Sequence, residues 1–335
     1  MLFRRRRPIF KRICRNLQKG RPADADLDLG RGGALPGAAD GGYYFAGLKK
    51  ADPDADEAPV DISPLCGVLR DCWAEELEIA ARAKLRDFFL TRTAIEVMEP
   101  VQAWITREGD SLSQGDIYSL ALSLAMEAAE TEVVKFGLTL LEMFDTERDQ
   151  AARDVLLKTG LHEEFTLFCL FNIRDWPDGN AYIWQLAKNC HGWGRIFAVE
   201  NLEALTPEIE RWLLCYGWQN IVSPSYTALS CATHGDLPGF LRRAGGSAEE
   251  MAGMNAVMTA LLDETHCLGI GAYDDPFALI AAYLEKVALH PAEAFDGAAV
   301  RAVEAYLSEH AAGAAAGNAR RRAGDLCAAI LSAHL

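Results

Sequence analysis

This chain predicts an all-α fold, an α-α superhelix of short helix pairs, and three observations carry that expectation. Apolar residues recur at i, i+3, i+4 and i+7, and no run alternates with the two-residue period of a strand. Gly, Pro, Asn and Asp break the pattern at close intervals, most densely between Leu161 and Gly235. The helix pairs also recur at a nearly fixed step: Leu186 to Trp212 is 26 residues and Trp212 to Phe240 is 28, as stacked repeats require.

The elements follow in order. MLFRRRRPIFKRICRNLQKGR carries nine Lys or Arg and no acid. A short helix from Pro8 would set Phe10, Ile13 and Leu17 on one side and basic residues around the other, a shape suited to an anionic membrane surface or to RNA. The blander expectation is a solvated basic tail. Residues 22–60 are rich in Gly, Ala, Pro and Asp, too poor in apolar surface to offset ordering entropy, so a disordered linker is expected. Tyr43, Tyr44 and Phe45 interrupt it and are expected to dock on the body.

Ser63-Pro64 places a capping oxygen before a first-turn proline. It opens a helix with Leu69, Cys72, Trp73, Leu77 and Ala80 on one side, which ends near Thr91–Thr93. Helices follow from Ser113 (Ile117, Leu120, Ala121, Leu124, Ala128) and from Thr131 (Val133, Phe136, Gly137, Leu140, Leu141, Phe144), each a continuous core-facing stripe. Beyond Gly160 the segments shorten. Ile183, Leu186 and Ala187 lie in one, Ile209, Trp212 and Leu213 in the next, and Leu237, Phe240 and Leu241 in a third. Thr206-Pro207 and Ser223-Pro224 start helices, Ser247 with Glu250 forms a capping box, Asp275-Pro276 starts another, and the Ala/Gly run at 311–317 sets off the last. The expected organisation is a basic tail (1–21), a linker (22–60) and a helical solenoid (61–335).

Gly194-Arg195-Ile196-Phe197-Ala198-Val199 opening one helix, Thr206-Pro207-Glu208-Ile209 opening its partner, and the Gly235-Asp236 turn together resemble HEAT-type and armadillo-type repeats. The step is shorter than the roughly 40–47 residues of those families, so the resemblance is architectural. The turns WPDGN and HGWGR are similar to those of a group of bacterial α-helical proteins. That likeness would cover the chain after residue 60 and implies no activity.

Half of the 335 residues are hydrophobic, enough to bury a sizeable core. No apolar run reaches the 18 residues a membrane-spanning helix needs, Ile117–Met126 being the longest, and Pro8, Lys11, Arg12 and Arg15 interrupt any secretory apolar core. Nine cysteines without a Cys-x-x-Cys pair fit a reducing cytoplasm, the basic tail allowing a peripheral membrane location. The net charge of −15 is uneven, since residues 22–335 hold 24 basic against 48 acidic side chains. That body should repel polyanions, so any nucleic-acid contact falls to residues 1–21.

The candidate binding surface is a ridge of turns: Asp175, Trp176, Asp178, Asn180, His191, Trp193, Arg195, Trp218, Gln219 and Asn220. Successive turns of a solenoid stack along one edge, and Trp and Arg are enriched at binding hot spots. Against this, Asp178 and Asn180 can simply cap helices and the Trp rings can seal neighbouring repeats. Asp175, Trp176, His191, Trp193, Arg195, Trp218 and Asn220 are the residues on which a binding face is expected.

Two further clusters hold chemistry-bearing side chains. His162-Glu163-Glu164 with His191 could supply an acid and a base, but Thr166 stands where a zincin needs its second His, and first-turn acids also favour a helix dipole. Asp263, Glu264, His266 and Cys267 do not share a helix face, so no metal is expected there. No P-loop, complete dinucleotide loop or Gly-x-Ser-x-Gly elbow occurs, and no cofactor is expected. The function expected is a scaffold or adaptor that binds a protein or peptide on the turn ridge or concave face. The alternative is a lyase or hydrolase of HEAT-like architecture using Glu163, Asp175, His191 and Arg195, which requires those side chains to converge.

Overall fold

The computed structural model describes residues 7–27, 29, 35–46, 60–71, 78–109, 112–310 and 317–334. Among these residues there are nineteen α-helices and no strand, so the all-α expectation holds. The described residues fall into two compact units, the first reaching Asn201 and the second beginning at Leu202.

Unit 1 contains α1 (Ile9–Gln18), α2 (Ala38–Ala46), α3 (Ser63–Asp71), α4 (Glu78–Phe88), α5 (Ala94–Arg107), α6 (Gln114–Glu127), α7 (Thr131–Leu141), α8 (Gln150–Thr159), α9 (Thr166–Ile173), α10 (Gly179–Asn189) and α11 (Gly192–Glu200). The helix starts follow local chemistry. Ser113 Oγ accepts from the Asp116 N–H at 3.3 Å, and the Thr93 N–H donates to Glu96 in a capping box at 3.1 Å, each satisfying an orphan donor of the first turn. Helix α7 is packed by α4, α5, α6 and α9. Every residue from Glu132 to Leu141 is consequently buried, and so is every residue of α9.

The N-terminal segment is part of this unit. Ile9 and Ile13 are fully buried and Phe10 nearly so, with α1 lying on α6 and α8. Each such side chain contributes about 1.5–3 kcal/mol. The apolar face that would meet a membrane is thus turned onto the protein. Asn16 Nδ2 then donates to the carbonyls of Ala23 (3.2 Å) and Ala25 (2.5 Å), folding the chain back at the turn after α1. Ala23, Leu27 and Asp40, which composition assigns to a linker, are all buried. The segment is indeed poor in apolar surface; polar anchors hold it instead. Cys72, Trp73 and Leu77 lie outside the described residues, as do the side chains of Tyr44, Phe45 and Ala80, while Tyr43 is about half exposed.

Unit 2 contains α12 (Pro207–Trp212), prolonged by a π-helical turn (Leu213–Gly217), then α13 (Ser225–His234), α14 (Leu237–Arg242), α15 (Ala248–Leu261), α16 (Pro276–Leu289), α17 (Pro291–Ala294), α18 (Gly297–Glu309) and α19 (Asn318–His334). Thr206, Ser247 and Asp275 each accept the third backbone N–H of the helix they precede, at 2.9–3.3 Å. Asn255, Tyr283 and Lys286 pair polar groups inside it. Tyr283 Oη donates to Asn255 at 2.9 Å, and Asn255 donates to the Ala294 carbonyl at 3.0 Å. Buried Lys286 closes the end of α14 by donating to the carbonyls of Arg243 and Gly245 at 2.5 Å each. Among the described residues no helix is long and apolar enough to cross a membrane.

Candidate functional site

The densest concentration of buried charge in unit 1 is centred on Lys135. Helix α7 has neighbours on all sides, so this lysine cannot reach water, and its side chain is 0% exposed. Its ammonium donates to Asp40 Oδ2 at 2.6 Å, to Glu164 Oε1 at 2.6 Å and to Glu132 Oε1 at 3.3 Å, and it lies 5.5 Å from the centre of the Phe168 ring. Burial works against the charge, but the three carboxylates outweigh it and push the ammonium pKa up. Three acids around one base leave an excess of negative charge. Burial first, then the neighbouring acids against the pull of Lys135, raise Asp40 to about 6.

Two of the acids also tie a different piece of backbone to the centre. Glu132 Oε2 accepts from the Ala94 N–H at the start of α5 (2.8 Å), and Glu164 Oε2 accepts from the Gly37 N–H (2.5 Å). Gly37 and Glu164 are 127 positions apart in the chain. Beside them, His162 Nδ1 accepts from the Glu164 N–H at 3.2 Å, which leaves Nε2 to donate to the Leu27 carbonyl at 3.1 Å. That is the pattern of a neutral imidazole, and burial pushes the His162 pKa down accordingly.

Residues 23–27 and 35–41 lie on this face as a strap. Gly37 sits at φ +76°, and a Cβ there would come 2.9 Å from both the Glu163 carbonyl oxygen and the Trp193 Cβ. Gly41 packs under the indole, where an added Cβ would meet the Trp193 ring at 2.5 Å. Trp193 is 7% exposed and tilts against Phe197 with ring centres 5.9 Å apart. Glu163 is buried behind the strap, and its Oε2 has no hydrogen-bond partner. Gly192, at φ +50°, makes room for that carboxylate, since a Cβ there would fall on Oε2. Burial and the nearby Asp24 carboxylate raise the Glu163 pKa to about 7, against a hydrogen bond from the Trp193 backbone N–H.

The residues expected to form the ridge take different places. Trp193 holds the strap. Trp176 is buried; its indole N–H donates to Thr146 Oγ1 at 3.1 Å, and Arg153 lies over its ring at 5.3 Å, so it joins the turn before α10 to α8. Asp175 is exposed beside Arg174, and His191 is exposed at the start of α11. Arg195 donates through Nη1 to the Ala187 carbonyl at 2.8 Å, tying α11 to α10. In unit 2, the Trp218 N–H donates to the Cys215 carbonyl at 3.0 Å and Asn220 accepts from the Val222 N–H at 2.6 Å. Both of those bonds are local to their own turn.

Of the enzyme quartet, Glu163 is buried while Asp175 and His191 face solvent, and Arg195 is directed at α10. Glu264 braces its loop by accepting from the N–H groups of Gly269 (3.2 Å) and Gly271 (3.1 Å). No group of three His, Cys, Asp or Glu able to hold a metal occurs among the described residues.

Lys135, Glu132 and Asp40 were not anticipated as site residues; Glu163 and Glu164 read either as helix-dipole acids or as an acid and base with His162 and His191, Glu163 also being one of the enzyme quartet. A signal for Lys135 did exist, a lone cation inside the apolar run Val133–Leu141. No protein-family model matches the chain, and no curated protein and no solved structure matches it.

Proposed function

We propose that the protein is a peptide-binding helical scaffold whose binding face is built from the turns at residues 162–164 and 192–194, with α7 beneath them. One observation supports it above the rest: that face already holds separate pieces of its own chain, the strap residues 23–27 and 35–41, through Glu164, His162, Lys135 and Trp193. The anchors are of the kind peptide-recognition sites use, a fixed aromatic plane together with backbone and carboxylate hydrogen bonds. The basic residues of α1, whose apolar side is packed on α6 and α8, add a second surface contact. Stacking of short helix pairs into a superhelix of the HEAT or armadillo kind remains the architecture we propose for the array, and its concave face the second place for a partner.

The test uses the whole chain, carrying a specific protease site at residues 52–57 and cleaved there, so that the strap is held non-covalently. A labelled synthetic peptide of residues 20–46 should exchange into the cleaved protein saturably. Trp193→Ala, shown folded by circular dichroism, should weaken that uptake by at least about tenfold. No exchange into the cleaved native chain would refute the reading.

A further inference from the structure

Resting on that reading, we propose that the face selects a protein segment of the pattern Gly-x-x-Asp-Gly, for which the strap is the cis-acting stand-in. Burial along the strap singles out the positions that are read. Gly37, Asp40 and Gly41 are buried, whereas Leu35, Ala39, Gly42 and Tyr43 are exposed. The first glycine is required twice over, by its left-handed backbone and by the 2.9 Å approach of Glu163 and Trp193, while its N–H delivers the hydrogen bond to Glu164. The second is required because the Trp193 ring occupies the space of any side chain at that position.

Between them a short acid must reach Lys135. Asp40 Oδ2 does so at 2.6 Å, and its carboxyl is 1% exposed. The outward positions place no demand on the ligand, so the ligand class is defined by two glycines and one aspartate entering a helix. In the intact chain the tethered strap competes at an effective concentration on the order of millimolar. A partner therefore engages when the strap has been released or when the partner is itself held nearby.

The experiment is exchange of labelled 20–46 peptides into the cleaved full chain. Gly37→Ala, Gly41→Ala and Asp40→Leu peptides should each bind about tenfold or more weakly than the native peptide, because each forces a clash or sets hydrocarbon against the buried ammonium. The Gly42→Ala peptide should bind like the native one, since a Cβ at Gly42 meets nothing within 4 Å. Uptake of all these peptides with equal affinity would overturn the sequence selectivity and leave the peptide-binding reading standing. Uptake of none, with the cleaved strap retained for days, would overturn both. A Gly41→Val chain, in which the strap cannot seat, serves as a second receptor and must give the same ranking.

Discussion

Replacing Lys135 with Met keeps an unbranched side chain one atom shorter and removes the charge that holds three buried carboxylates together. Asp40 and Glu164 each lose a 2.6 Å charge-assisted bond, and Glu132 a weaker one at 3.3 Å. Removing one partner of a buried ion pair costs about 3–5 kcal/mol. Protonation limits that cost. Asp40, already raised to about 6, can take up a proton at pH 7.5 for about 2 kcal/mol. At pH 5 the same step costs almost nothing. The expected loss is therefore about 3–5 kcal/mol at pH 7.5 and smaller at pH 5, where Asp40 is largely protonated. Urea denaturation of the full chain at both pH values, followed by tryptophan fluorescence and circular dichroism, measures it. A loss below about 1 kcal/mol at pH 7.5, or one that does not shrink at pH 5, would refute the account of the cluster.

Three further outcomes are expected. Asp40, raised to about 6, and Glu163, raised to about 7, bind protons more tightly in the folded chain than they would in water. Their stabilising contribution is complete below the ordinary carboxylate range and is lost as pH rises through about 6 and then 7. Limited proteolysis within residues 23–43 should accordingly quicken between pH 5.5 and 8. Gly41→Ala should cost about 1–3 kcal/mol through overpacking and shift the Trp193 emission to the red as the indole is pushed outward; unchanged emission would contradict the contact. Trp176→Phe should cost about 1 kcal/mol by leaving Thr146 Oγ1 without its indole donor, and it should leave strap-peptide affinity unchanged, which separates this tryptophan from Trp193.

The helical class was legible because it rests on local chemistry. Thr206-Pro207, Ser247 with Glu250 and Asp275-Pro276 cap the helices they announce, and the stripes from Ser113 and Thr131 are core. The α5 and α8 helices were missed; in α5, Pro100 interrupts the helical pattern. The site was harder to see. Ion pairs joining residues 95 positions apart, as Asp40 and Lys135 are, leave no local periodicity. A strap held by hydrogen bonds to its backbone has the composition of a linker. Trp193 could be singled out as a turn aromatic, but what it covers, two glycines more than 150 positions earlier, is fixed only by tertiary packing.

The most direct measurement on the central claim is native-state hydrogen exchange of the full chain at pH 6, read by mass spectrometry over residues 35–46. If the strap is seated, the Gly37 amide bonded to Glu164 and the helical amides after it are protected, and Trp193→Ala abolishes that protection while α7 and α9 keep theirs. Exchange of residues 35–46 at the rate of an unstructured peptide in the native chain would contradict the account.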